Sequence, residues 1–103
     1  MYNKLVRDNI PNIIKDNGEE PIIEMLDDEK YKIELEKKLL EECNEVLNSS
    51  GDDRIEELAD LLEVMISLAS IENKTLGDVE EIRVKKKNKR GGFDKKIYLK
   101  GVK

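Results

Sequence analysis

Two consecutive segments, 28–48 and 52–72, the second opening at a cap, Asp52 or Asp53, carry apolar side chains at the helical period and are separated only by Ser49-Ser50-Gly51. Strands alternate every second residue and are much shorter, so this pattern specifies helices. A connection this short sets neighbouring helices antiparallel. A further helix is expected to open at Thr75, with Asp78 at its third position in a capping box, and to run to about Lys89 before Gly91-Gly92. Asp8 to Lys15 reads as a short helix capped by Asp8, with Pro11 in its first turn and Gly18 ending it. The aromatic content of 4% against 42% charged residues suits charged helices and disfavours a β-sandwich. The 103 residues are expected to form a single domain, 1–103.

The expected fold is mainly α: an antiparallel helical hairpin that completes a four-helix bundle by oligomerisation. A small two-stranded β ribbon could join 21–25 to 96–100, since both stretches are short and apolar. Oligomerisation is expected because each long helix is apolar around more than one side. Leu35, Leu39 and Val46 mark one face of the first helix, yet Ile33, Leu40 and Leu47 lie elsewhere on it. Ile55, Leu62 and Ile66 similarly lie away from the main stripe of the second. A homodimer or homotetramer would cover both sides.

Charge divides the chain. Residues 1–82 hold nine Lys and Arg against 23 acids, a net of −14, whereas residues 83–103 hold ten against Asp94 alone, a net of +9. The acidic body excludes a duplex-binding surface, because phosphate repulsion would act over most of the molecule. The basic end is either solvated or folds over the acids to meet a polyphosphate. Cys43 is the only cysteine, which suits a reducing cytoplasm. No signal peptide or membrane-length apolar run is visible. Without histidine, imidazole catalysis is excluded, and a metal must be a hard cation bound by oxygen.

The acids show where such a cation would sit. With Glu57 at the origin, Leu61, Val64, Leu68 and Ile71 all fall within about 40° of it, and Asp60 lies at the border of that stripe. Glu57 is therefore expected to face the helix interface. On the first helix Glu42 lies beside Leu35, Leu39 and Val46, with Glu45 one step further out and Lys38 one turn before. Antiparallel packing brings Glu42, Glu45, Glu57 and Asp60 towards one point, where like charges need a divalent cation. The competing reading is that these acids pair with Lys38 and other lysines on an ordinary charged surface.

These residues resemble a known family. Lys38-Leu39-Leu40-Glu41-Glu42-Cys43-Asn44-Glu45, then Glu57-Leu58-Ala59-Asp60, looks like the ExxE…ExxD signature of the all-α nucleotide pyrophosphohydrolase superfamily. Tyr2-Asn3-Lys4-Leu5-Val6-Arg7-Asp8-Asn9-Ile10-Pro11 and Lys89-Arg90-Gly91-Gly92-Phe93 are similar to a compact, MazG-like branch related to phosphoribosyl-ATP pyrophosphohydrolase. The resemblance implies Glu42, Glu45, Glu57 and Asp60 as ligands of Mg²⁺, with Mn²⁺ as a substitute. It also implies hydrolysis of a nucleoside triphosphate between the α and β phosphorus, giving a nucleoside monophosphate and pyrophosphate.

Such chemistry gives the other residues roles. Glu41 could orient the water as a base or hold a second metal, or remain a solvated acid. Arg83, Lys86 and Arg90 continue the face marked by Leu76, Val79 and Ile82, and with Lys38 could clamp the leaving pyrophosphate. Lys4 and Arg7 join them by resemblance alone. Tyr2, Tyr31, Phe93 and Tyr98 are the only aromatics for stacking on a base. Two alternatives stay open: phosphoribosyl-ATP as substrate, or a non-enzymatic helical interaction module.

Overall fold

In a computed structural model, which describes residues 3–103, four helices follow one another: α1 (Ile10–Asp16), α2 (Asp28–Leu47), α3 (Gly51–Ile71) and α4 (Leu76–Arg90). Tyr2, one of the four aromatics, lies outside the described residues. Two helices start on a side-chain cap. The Asp27 side chain accepts from the Lys30 backbone N–H at 2.8 Å and caps α2. Thr75 and Asp78 form the expected reciprocal box at the start of α4.

The other starts differ from expectation. Asn9, not Asp8, is the N-cap of α1, although Pro11 does sit in the first turn. Ser50 caps α3, with Asp52 and Asp53 inside its first turn, where they favour the positive end of the helix dipole. The first turn closes when the Arg54 backbone N–H donates to the Ser50 carbonyl at 3.4 Å, and Gly51 between them takes φ +59°, a left-handed conformation open to glycine without strain. Two bonds fasten this tight connection. Ser49 Oγ donates to the Val46 carbonyl at 3.1 Å, and Arg54 Nε donates to the Ser49 carbonyl at 2.9 Å.

α2 and α3 form an antiparallel hairpin. The start of α2, at Asp28 and Tyr31, lines one hollow with Ser67, Ser70 and Ile71 from the end of α3. The packed face is the one the period marks out: Leu35 and Val64 are buried, while Leu39, Val46, Leu61, Leu68 and Ile71 are half-buried. Ile66 is also half-buried, contrary to its placement on an outer face. The outer stripe of α3 is instead Ile55, Leu58, Leu62 and Met65, all exposed at the alternating three- and four-residue spacing of a helix–helix seam.

Two expectations are corrected. α4 does not bury the face formed by Leu76, Val79 and Ile82; only Leu76 is half-covered, and Val79 and Ile82 are exposed. The period identifies an apolar face but cannot supply a partner for it. The β ribbon is also absent: residues 21–25 and 96–100 contain no strand, and there is no strand anywhere among the described residues. Ile22, Met25 and Ile97 stand in solvent. A two-stranded ribbon with no surface to pack on is marginal in water.

The chain is open in shape. Its radius of gyration is 18.0 Å and its extents are 63 × 33 × 23 Å, whereas a closed domain of this length has a radius of about 13 Å. Among the described residues no helix is long and apolar enough to cross a membrane. Since α4 gains little from packing, its cap matters to it locally. Thr75→Ala should cost about 1 kcal/mol, read as faster amide hydrogen exchange over 76–80 with little change in α2 and α3.

Candidate metal centre

The acids gather near the closed end of the hairpin. Glu42 comes from α2, five residues before its end, and Glu57 and Asp60 come from the second turn of α3 onwards. One carboxylate oxygen from each of the three lies within 4.8 Å of the others. Glu42 is 8% exposed and is the one buried charged residue among the described residues; Glu57 and Asp60 are half-buried. Glu57 thus faces inward, as its place among Leu61, Val64 and Leu68 requires. Glu45, the fourth acid of the expected set, is exposed and stands outside the three-oxygen group.

Two cations reach this cluster. Arg7 Nη2 donates to Asp60 Oδ1 at 2.7 Å, which ties the segment before α1 to α3. Lys38 Nζ lies 3.6 Å from Glu41 and 3.7 Å from Glu42. Five carboxylates, counting Glu41 and Glu45, therefore face two positive charges. The remaining repulsion acts on the carboxyls themselves. Burial pushes the Glu42 carboxyl above its usual range; Lys38 opposes this, and Asp60, Glu41 and Glu45 add to it. Glu57 is raised for the same reasons, by loss of solvent and then by Asp60, Glu45 and Glu42. Both groups resist holding a negative charge side by side.

The donor set fits a hard divalent cation. Three carboxylates from two helices, with no nitrogen or sulfur donor in the group, match the oxygen preference of Mg²⁺ or Mn²⁺. Mg²⁺ usually keeps several waters and takes few protein ligands, so an incomplete shell is expected.

The basic residues of α4 are placed differently. Arg83 pairs with Glu80 and Lys85 with Glu81, both on their own helix. Lys86 and Arg90 are exposed, and Arg90 lines a hollow with Gly91, Phe93, Lys95 and Ile97. None of these forms an ion pair with Glu42, Glu57 or Asp60 of its own chain. Lys4 is exposed as well. Only Lys38 and Arg7 of the expected phosphate-binding set stand at the acids. Arg7 had no signal in the helical period, because 53 residues separate it from Asp60; the opening motif alone pointed to it. Of the aromatics, Tyr31 is half-buried at the far end of the hairpin, while Phe93 and Tyr98 are exposed.

Compared with family models, curated proteins and solved structures, the chain matches none.

Proposed function

We propose that this protein is a Mg²⁺-dependent nucleoside triphosphate pyrophosphohydrolase that works as a homo-oligomer. The observation that carries this reading is the convergence of Glu42 from one helix with Glu57 and Asp60 from the next. Unlike charges on a solvated face, they include a buried carboxylate whose surroundings penalise its charge. Glu42, Glu57 and Asp60 would hold the ion, with Glu45 one turn from Glu42 as a further ligand once its side chain swings inward. The bound ion would neutralise phosphate charge and make a water more acidic.

The protein's own groups then have distinct tasks. Lys38 balances Glu41 and Glu42 and lies within reach of a phosphate oxygen beside them. Arg7, now paired with Asp60, can turn to a phosphate when Asp60 takes up a metal. A Glu41 carboxylate oxygen accepts the proton of the attacking water. The bond between the α phosphorus and its bridging oxygen breaks, and pyrophosphate leaves with the electron pair.

Assembly is the second element of the proposal. The stripe Ile55, Leu58, Leu62 and Met65 has the spacing of a helix–helix seam and is uncovered. Pairing two hairpins along it would give a four-helix bundle, as a homodimer or within a homotetramer.

A second reading has an observation of its own. The Arg7–Asp60 and Lys38–Glu42 pairs already compensate part of the cluster, as expected of a non-enzymatic interaction module. Incubation with a panel of nucleoside triphosphates and phosphoribosyl-ATP, with Mg²⁺ or with EDTA, separates the readings. Pyrophosphate released only with Mg²⁺ is the expected result, and the substrate giving the highest turnover decides between housecleaning and the phosphoribosyl-ATP alternative. Release from no substrate on the panel would leave the interaction module as the better account.

A further inference from the structure

Segment 91–103 is built to bind something. Its apolar residues Phe93, Ile97, Tyr98, Leu99 and Val102 are between 76% and 98% exposed. Lys95, Lys96, Lys100 and Lys103 stand among them against Asp94 alone. A solvated tail gains nothing from five large apolar side chains, because disordered segments are poor in them. α4 passes the chain into this segment through Gly91 at φ +83°, and it packs only lightly on α3. Among the described residues none of its lysines forms an ion pair with an acid.

The body offers the complementary surface. The closed end of the hairpin holds Glu41, Glu42, Glu45, Glu56, Glu57 and Asp60, with Lys38 and Arg7 as the cations paired there. At the same end, Leu47 and Ile55 are 73% and 64% exposed. The area is also ample. The chain exposes 9683 Å², where a folded monomer of this mass exposes about 6,000 Å². The difference is several times the roughly 800 Å² that each partner contributes to a standard stable interface.

The geometry points to a second copy of this chain as the occupant. Segment 91–103 of one copy seats across the closed end of the α2–α3 hairpin of another. Lys95, Lys96 and Lys100 lie beside the acids, and Phe93, Ile97 and Leu99 lie on Leu47, next to the end of the seam at Ile55. The inference rests on the assembly proposed above and deepens it: each acid cluster would receive its missing cations in trans. Opposite charges would steer the two copies together, and the apolar contacts would hold them.

The test needs neither metal nor nucleotide, so it can fail independently of the hydrolase reading. Full-length chains grown on light and on heavy nitrogen are mixed at dilution, reconcentrated, and checked for subunit exchange by native mass spectrometry. Carbodiimide then joins adjacent lysines and carboxylates, and the linked peptides are sorted by isotope. Links from Lys95, Lys96 or Lys100 to Glu45, Glu56 or Asp60 should include light–heavy pairs as abundant as the two same-isotope pairs together. Same-isotope pairs alone would show a fold-back within one chain and overturn the inference, as would an absence of such links. Replacing Lys95, Lys96 and Lys100 by Glu should raise the dissociation constant of the assembly about tenfold at low salt, and less at high salt. An unchanged constant would also overturn it.

Discussion

Under the proposed assembly, Leu62→Asp is expected to leave a monomer that releases no pyrophosphate. Leu62 occupies the middle of the exposed α3 stripe, between Leu58 and Met65. A carboxylate there would be buried without a partner once two hairpins close, at a cost of several kcal/mol. In the isolated chain the same side chain is 41% exposed, so the charge can stay in water. Sedimentation velocity at micromolar concentration should therefore show a dimer or larger for the wild type and a monomer for the variant. Ile66→Asp makes a useful contrast. Ile66 is half-buried against its own chain, so that variant should also lose helix signal in circular dichroism. A Leu62→Asp protein that stays assembled would place the interface elsewhere.

Glu57→Gln is expected to reduce pyrophosphate release by roughly 100-fold or more, since even outer-shell changes at metal sites cost 10–100-fold. It should do so without loosening the fold. The Glu57 carboxyl is already held above its usual range by loss of solvent and by its acidic neighbours, so removing its charge relieves repulsion. The metal-free variant should melt no lower than the wild type. Glu42→Gln should melt higher, because Glu42 is the more deeply buried of the two. About 1 kcal/mol moves the melting temperature of a domain this size by roughly 4–8 °C.

The same shifts give a pH dependence. A carboxyl whose pKa is raised on folding holds a proton more tightly in the folded state, so its stabilising effect is lost as pH rises. For Glu42 and Glu57 the loss begins near the ordinary value of 4.5 and is complete above the raised folded value. Asp78 and Glu80 act in the opposite sense, but their windows lie below 3.8 and 4.5, at the low end of the titration. The melting temperature of the metal-free protein should thus fall as pH is raised from 4.5 towards neutrality. Saturating Mg²⁺ should restore it at pH 7, since an ion that binds only the folded state stabilises it. A melting temperature that climbs steadily over this range without metal would contradict the placement of these acids.

Much of this arrangement is legible in the sequence, and the reason is periodicity. The boundaries of α2 and α3 follow from amphipathic runs broken at Ser49-Ser50-Gly51, and the same arithmetic puts Glu42 and Glu57 on buried faces. With two helices joined by a short connection, those faces must meet, so the approach of Glu42, Glu57 and Asp60 follows from the sequence. Glu45 shows the limit: a residue 60° from the seam can lie on either side of the boundary between buried and exposed, and it is exposed. α4 shows another. Its apolar line at Leu76, Val79 and Ile82 is real, but Val79 and Ile82 stay exposed. The Arg7–Asp60 pair depends on the path of an irregular segment, which no local pattern encodes. The β ribbon rests on two short apolar stretches, and neither has a surface to pack on.

The central claim, that carboxylates of two helices form one divalent cation site, is tested most directly by calorimetric titration of Mg²⁺ and Mn²⁺. The wild type and Glu57→Gln are compared side by side, each with and without a non-hydrolysable nucleoside triphosphate analogue. The account predicts saturable binding to the wild type, tighter with the analogue present, and its loss in Glu57→Gln. Wild-type heats no greater than those of the variant under both conditions would contradict it.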